Sequence, residues 1–157
     1  MTQLHDNWRG LSIQQPWTDL ILRGQKTIEV RFWRSLNHRG GFLIHSSSAI
    51  DWKTTELLGY ESPLSLPLQR LVGYAEVESV IRLTNENRLF YSERHWVVHP
   101  FNGEPLGAVL RNVVSFKHPV ACKGKPGFFL IPPAVHKTVA NQLEQIGFDP
   151  ARDPFRK

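Results

Sequence analysis

The stretch KTIEVRFW, residues 26–33, sets a carboxylate and a guanidinium, Glu29 and Arg31, two positions apart. Ile28, Val30 and Phe32 alternate there with Thr27, Glu29, Arg31 and Trp33, the period-two pattern of a strand with one buried face. On the other face Glu29 and Arg31 project side by side, roughly 7 Å apart at about 3.3 Å of rise per residue. Each can orient the other, or a ligand held between them. Such a pair is either a surface ion pair, worth about 0 to 1 kcal/mol, or part of a site. Lys26 opens the strand and by parity points with Ile28, although a local twist after Gly24 would aim its ammonium into a cleft.

Three other stretches carry usable chemistry. QQPW, residues 14–17, offers the amides of Gln14 and Gln15 and the ring of Trp17 beside a helix start, which suits base stacking with edge recognition. Trp17 equally suits core packing, because it shares an apolar face with Leu20 and Ile21. HSSS, residues 45–48, ends an apolar run with hydroxyls. It reads as a turn, as hydroxyl donors including Ser47, or as a nucleophile activated by His45. CKGKPG, residues 122–127, is a basic loop whose Lys123, Lys125 and backbone amides could hold a phosphate, or a solvated turn. Seven histidines invite a metal reading. His95 and His99, however, lie in an apparent strand, where their spacing separates the rings by roughly 13 Å. No metal site and no cofactor is expected.

The elements that must position these residues follow from pattern and punctuation. LSI (residues 11–13) is a short strand, and PWTDLILRG a helix entered at Pro16 and stopped at Gly24. GGFLIHSSS is a strand, and DWKTTELLG a short helix capped by Asp51 and closed by Gly59. YESPLSLPLQR is a proline-containing surface loop; with Trp52 it would also suit a protein partner. LVGYAEVESVIRL is a strand bent at Gly73, NENRLFYSERH a helix and WVVHP a short strand. GAVLRNVVSFKHPVAC gives one long strand or two short ones, and FFLIP follows after the basic loop. PAVHKTVANQLEQIG is a helix presenting Val135, Val139, Leu143 and Ile146 on one face. Six strands or so, interleaved with short helices in no regular alternation, predict an α+β fold: a small mixed sheet or closed barrel. Neither GxGxxG nor GxxxxGK[ST] occurs, so neither usual phosphate loop supports a doubly wound sheet.

The chain of 157 residues suits one domain. Nineteen Lys and Arg against fourteen Asp and Glu give a net charge of +5, compatible with a polyanionic partner. Cys122 is the single cysteine, which excludes an intrachain disulfide and fits a reducing compartment. The N-terminus has no apolar signal-like region, and no apolar run approaches the roughly 20 residues of a membrane span. The expectation is a cytoplasmic protein with no membrane contact.

Taken in order, LSIQQPWTDLILRGQKTIEVRFW, GGFLIHSSS, VGYAEVESVI and HPVACKGKPGFFLIP resemble the ASCH domain family, which is related to the PUA-like RNA-binding fold. The most recognisable block is QPW, a helix, then G-x-K-T-x-E and an arginine; Gln15, Pro16, Trp17, Gly24, Lys26, Thr27, Glu29 and Arg31 match it. The resemblance covers a core over about residues 11–131 and implies a small PUA-like β-barrel with short flanking helices; the C-terminal helix, about 133–146, and the polar tail, 148–157, fall outside it. It also implies a basic cleft that takes RNA, single-stranded nucleic acid or a modified nucleoside. The residues expected to line it are Gln15, Trp17, Lys26, Glu29, Arg31, Trp33, His45, Ser47, Lys123 and Lys125. One bacterial branch of the superfamily hydrolyses an acylated cytidine with a threonine nucleophile in a K-T-x-T version of this strand. Here KTIEVR keeps the lysine as Lys26 but puts Glu29 in the nucleophile's place, and a carboxylate does not replace a hydroxyl in forming an acyl ester. Thr27 leaves a nearby hydroxyl on the face of Glu29. Ribonuclease activity is associated with some members. The alternative to binding is therefore a hydrolase using Lys26, Thr27 and Glu29 in the same cleft.

Overall fold

The computed structural model describes residues 2–97 and 99–155. Its strands are β1 (Arg9–Gln15), β2 (Ile28–Arg31), β3 (Gly40–Ile50), β4 (Arg70–Arg82), β5 (Leu106–Ala121) and β6 (Phe128–Leu130). Its helices are α1 (Trp17–Leu22), α2 (Trp52–Leu57), α3 (Ser92–His95) and α4 (His136–Gln145). The strands form one mixed sheet in the order β2-β5-β4-β3-β1-β6. Only β1 and β3 run parallel; the other neighbours are antiparallel.

Both faces of this sheet are covered, which explains why β3 is an unbroken apolar run rather than an alternation. Leu43 packs on one side with Trp8, Leu71, Phe116 and the α4 residues Val139 and Leu143. Its neighbours Phe42 and Ile44 face the opposite side, with Leu11, Ile13, Val72 and the α1 residue Ile21. A third cluster of Ile28, Leu83, Phe101 and Val109 lies under β2. Gly73 marks the bend in β4: the ladder with β5 slips between Leu71 and Gly73, and a Cβ there would stand 2.5 Å from the Val114 carbonyl oxygen. The polar tail, though aperiodic, is pinned, because the Pro150 carbonyl accepts from His5 N at 2.8 Å and from Trp8 Nε1 at 3.0 Å.

The expected barrel is not formed. The sheet is open, with the four-residue β2 at one edge and the three-residue β6 at the other. The sheet nevertheless curls strongly. Four interstrand steps separate β2 from β1 in the strand order, roughly 19 Å if flat, yet Arg31 Nη2 donates to the Ser12 carbonyl at 2.7 Å. What links the two strands is a side chain, not a backbone ladder. Glu29 and Arg31 line the gap between them.

Three local expectations also give way. Of NENRLFYSERH only Ser92–His95 is α-helical. Upstream, Thr84 and Asn87 bond each other reciprocally, Thr84 N to Asn87 Oδ1 at 2.7 Å and Asn87 N to Thr84 Oγ1 at 3.1 Å, a local closure that competes with helix. WVVHP supplies no strand among its described residues, and Val98 lies outside them; Trp96 instead terminates α3 with φ +65°. Phe32, expected on the buried face, is 58% exposed, because β2 ends at Arg31 and the alternation ends with it.

Candidate functional site

The gap between β1 and β2 is an open cavity of about 990 Å³. Ser12, Ile13 and Gln14 of β1 and Glu29, Val30 and Arg31 of β2 form facing walls. Trp17 from the start of α1, Lys26 before β2 and Trp33 after it complete the floor and sides. Ser47, Ser48 and the loop Lys123–Gly127 stand at the rim.

On the floor, Glu29 lies between two cations. Its Oε1 is 3.7 Å from Lys26 Nζ and its Oε2 3.1 Å from Arg31 Nη2. Lys26 is wholly buried; it donates to the His95 carbonyl at 2.6 Å and lies 4.9 Å from the centre of the Trp17 ring. Burial disfavours its charged form and brings its pKa down to about 8, with Arg31 adding to the effect and Glu29 opposing it. The Arg31 guanidinium stands 5.2 Å from the Trp33 ring centre, a cation–π distance. Its Nε is buried and makes no hydrogen bond among the described residues. With Lys26 protonated the three groups sum to one positive charge; Lys123 and Lys125 add two more at the mouth, and Asp51 on the lining takes one away.

His45 lies behind the β1 wall, buried. Its Nε2 is 2.6 Å from the Cys122 carbonyl, which can only accept, so Nε2 carries the proton. Nδ1 is then the acceptor for the Ser12 hydroxyl at 3.0 Å. Burial lowers the His45 pKa, against the pull of the Cys122 carbonyl.

Of the residues named from sequence, Trp17, Lys26, Glu29, Arg31, Trp33, Ser47, Lys123 and Lys125 line this one cavity. Gln15, Thr27 and His45 do not, His45 being buried behind the β1 wall. Gln15 is buried and ties α1 to the proline loop, accepting from Asp19 N and donating to the Pro67 carbonyl, both at 3.0 Å. Thr27 turns toward α3, where Arg94 Nε donates to its hydroxyl at 3.3 Å. The hydroxyl that His45 meets is not one of its sequence neighbours but Ser12. Parity with Gln14 along β1 was the available signal for Ser12, but the strand's facing partner was not readable.

A family model described as the ASCH domain matches residues 11–115. No curated protein matches the chain significantly. Among solved structures, the ASCH protein of Zymomonas mobilis is similar with a TM-score of 0.61 at 14% identity, covering 86% of this chain and 94% of that one. Two substituted forms of the same Zymomonas mobilis protein give the same TM-score, at 14% and 13% identity, covering 86% and 88% of this chain and 97% of theirs. At such identity the solved structures speak for the fold. The family model spans two-thirds of the sequence and includes both walls of the cavity: the chain belongs to the ASCH domain family, a PUA-like fold family associated with RNA binding.

Proposed function

We propose that the cavity between β1 and β2 binds single-stranded RNA, seating one nucleotide on the Lys26–Glu29–Arg31 floor. The observation that carries this reading is the single carboxylate between two cations, which leaves the floor positive while Glu29 fixes the guanidinium in place. Buried Arg31 Nε supplies a donor without a partner among the described residues, suited to a phosphate or a base edge. Trp17 and Trp33 offer ring faces for stacking, worth about 1–3 kcal/mol per base. Lys123 and Lys125 meet the chain's phosphates at the rim. The test is a titration of RNA and of matched single-stranded DNA across salt concentrations. Lys123→Ala with Lys125→Ala should weaken binding and reduce the slope of log affinity against log salt by roughly 1.4, at about 0.7 per phosphate contact. An unchanged slope and affinity in that double variant would overturn the reading.

A second reading is a hydrolase acting on RNA or a modified nucleoside in the same cavity, with Lys26 and Glu29 moving protons. It is favoured by the pKa of Lys26, held near 8 beside a carboxylate, within reach of neutral-pH acid–base work. Product release from RNA or acylated nucleosides, lost in Lys26→Ala and Glu29→Gln, would support it. Full turnover in both variants would remove it.

A further inference from the structure

The pair Ser12–His45 has a chemistry that neither reading of the cavity floor uses. Ser12 lies on the cavity wall, half-buried, with its hydroxyl donating to His45 Nδ1 at 3.0 Å. His45 Nε2–H donates to the Cys122 carbonyl at 2.6 Å, so the ring is fixed in the tautomer that leaves Nδ1 free to take a proton. That is the arrangement of an activated nucleophile: hydroxyl, base, and a third group that orients the base. The loop after Cys122 holds it closed. A Cβ on Gly124 would stand 2.6 Å from His45 Cε1, 2.7 Å from Nδ1 and 3.0 Å from Ser12 Oγ, so glycine alone lets the loop settle on the pair. Arg31 also lies beside Ser12, with Nη2 on its carbonyl at 2.7 Å and Nε unpartnered among the described residues. That bond holds the Ser12 backbone against β2.

From this geometry we infer that Ser12 is a nucleophile for acyl transfer, with His45 as its base, acting on carboxylic esters that enter the cavity. Ser12 Oγ forms a bond to the ester carbonyl carbon and gives its proton to His45 Nδ1. The ester C–O bond breaks, and the departing alkoxide takes that proton from His45. Water, deprotonated by His45, then releases the carboxylic acid and returns the proton to Ser12. The third group here is a neutral carbonyl, which stabilises the imidazolium less than a carboxylate would. That favours esters over amides, because an alcohol leaves more readily than an amine. The natural acyl carrier, an ester of a nucleotide's ribose hydroxyl, rests on the nucleotide reading of the cavity; the nucleophile itself does not.

The test uses the full chain with p-nitrophenyl acetate and no nucleic acid, so it stands or falls separately from RNA binding. A burst of nitrophenolate stoichiometric with protein is expected, with the acetyl group located on Ser12 by peptide mapping. Ser12→Ala, verified as folded by thermal melting, should lose the burst. His45→Gln should acylate at least about 100-fold more slowly, the usual contribution of a general base. If that variant does not fold, the wild-type acylation rate should instead fall with acid through an apparent pKa below that of free histidine. An acetyl group found only on lysines, no burst at all, or an undiminished burst in Ser12→Ala overturns the inference. Ribose-acetylated adenosine is then the carrier to test. If Ser12 is acylated but this ester is not turned over, the nucleophile stands and the nucleotide carrier falls.

Discussion

Lys26 Nζ reaches two acceptors at once, the His95 carbonyl at 2.6 Å and Glu29 Oε1 at 3.7 Å. The first ties the cavity floor to the end of α3, and the second ties it to β2. Thr27 strengthens the same junction, its N–H donating to the Arg94 carbonyl at 2.9 Å. A lysine that enters the sheet from a turn thus anchors one wall of the site, and it does so with its charge buried.

That burial makes stability depend on alkaline pH in a defined direction. The folded protein holds the Lys26 pKa near 8 against an ordinary 10.5, so between those values the unfolded chain binds more protons and stability rises with pH. Below pH 8 the full cost of the buried ammonium is present. Comparing wild type with Lys26→Met in urea at about pH 7.5 and 9.5, the wild type should gain roughly 2 kcal/mol relative to the variant over that interval. The comparison cancels the other titrating groups. Parallel pH profiles for the two proteins would rule out a depressed Lys26.

Arg31→Ala should lower stability by about 2–3 kcal/mol. It leaves the buried Glu29 with Lys26 alone and removes the bond to the Ser12 carbonyl that joins β2 to β1. Because Arg31 lowers the Lys26 pKa, the same variant should raise it from about 8, which a side-chain NMR titration of Lys26 reads directly. Arg31→Lys should restore little of the stability, since one ammonium does not reproduce a planar fork that serves a carboxylate and a carbonyl together. Full recovery with lysine would mean that charge alone matters there.

The sequence made much of this legible because its local signals agreed with the fold. Asp51 caps α2 as its position suggested, accepting from Thr54 N at 3.0 Å. The apolar stripe of α4 buries Val139 and Leu143. Alternation in KTIEVRFW identified β2 and singled out Glu29 and Arg31, but it could not say that the outward face of this strand would be enclosed. That enclosure depends on the curl of a sheet in which β2 and β1 are four steps apart. Lys26 and Gln15 show the two ways such reasoning is limited. Strand parity does not apply to a lysine in the turn before the strand, and the amide of Gln15 is spent on holding the proline loop. The Ser12–His45 contact joins residues 33 apart, on parallel neighbours that no short-range pattern announces.

Acid should destabilise the protein from the ordinary histidine range downward. His45 and His95 are each held neutral by burial, which lowers both pKa values from 6.5. Each ring also has both nitrogens engaged: His95 Nε2 donates to the Arg88 carbonyl at 2.9 Å, and its Nδ1 accepts from Val97 N at 2.9 Å. Protonating His95 Nδ1 would set it against the Val97 N–H, while at His45 the Ser12 hydroxyl would have to turn from donor to acceptor. Since the unfolded chain takes up these protons first, stability is fully present above pH 6.5 and declines as pH falls below it toward the folded pKa values. Denaturation midpoints from pH 7.5 to 5 should decline, and the His45 and His95 ring signals should titrate below the ordinary histidine value of 6.5. Midpoints flat across that range would contradict the account.

Gly124→Ala tests whether the basic loop and the site act together. The added methyl would come within 2.7 Å of two atoms of the His45 ring. That ring is hydrogen-bonded at both nitrogens and packed edge-on against Phe129 at 5.4 Å, so the ring cannot move aside and the exposed loop must. Global stability should change little, by no more than about 1 kcal/mol, or roughly 2–4 °C in Tm for a chain of this size. The displacement falls on Lys123 and Lys125, which flank the glycine at the cavity mouth. RNA affinity should therefore drop severalfold while the fold persists, and the salt dependence should weaken as in the double lysine variant. If Gly124→Ala instead binds RNA as tightly and with the same salt slope as the wild type, the lysines do not contact phosphate from the position this loop holds.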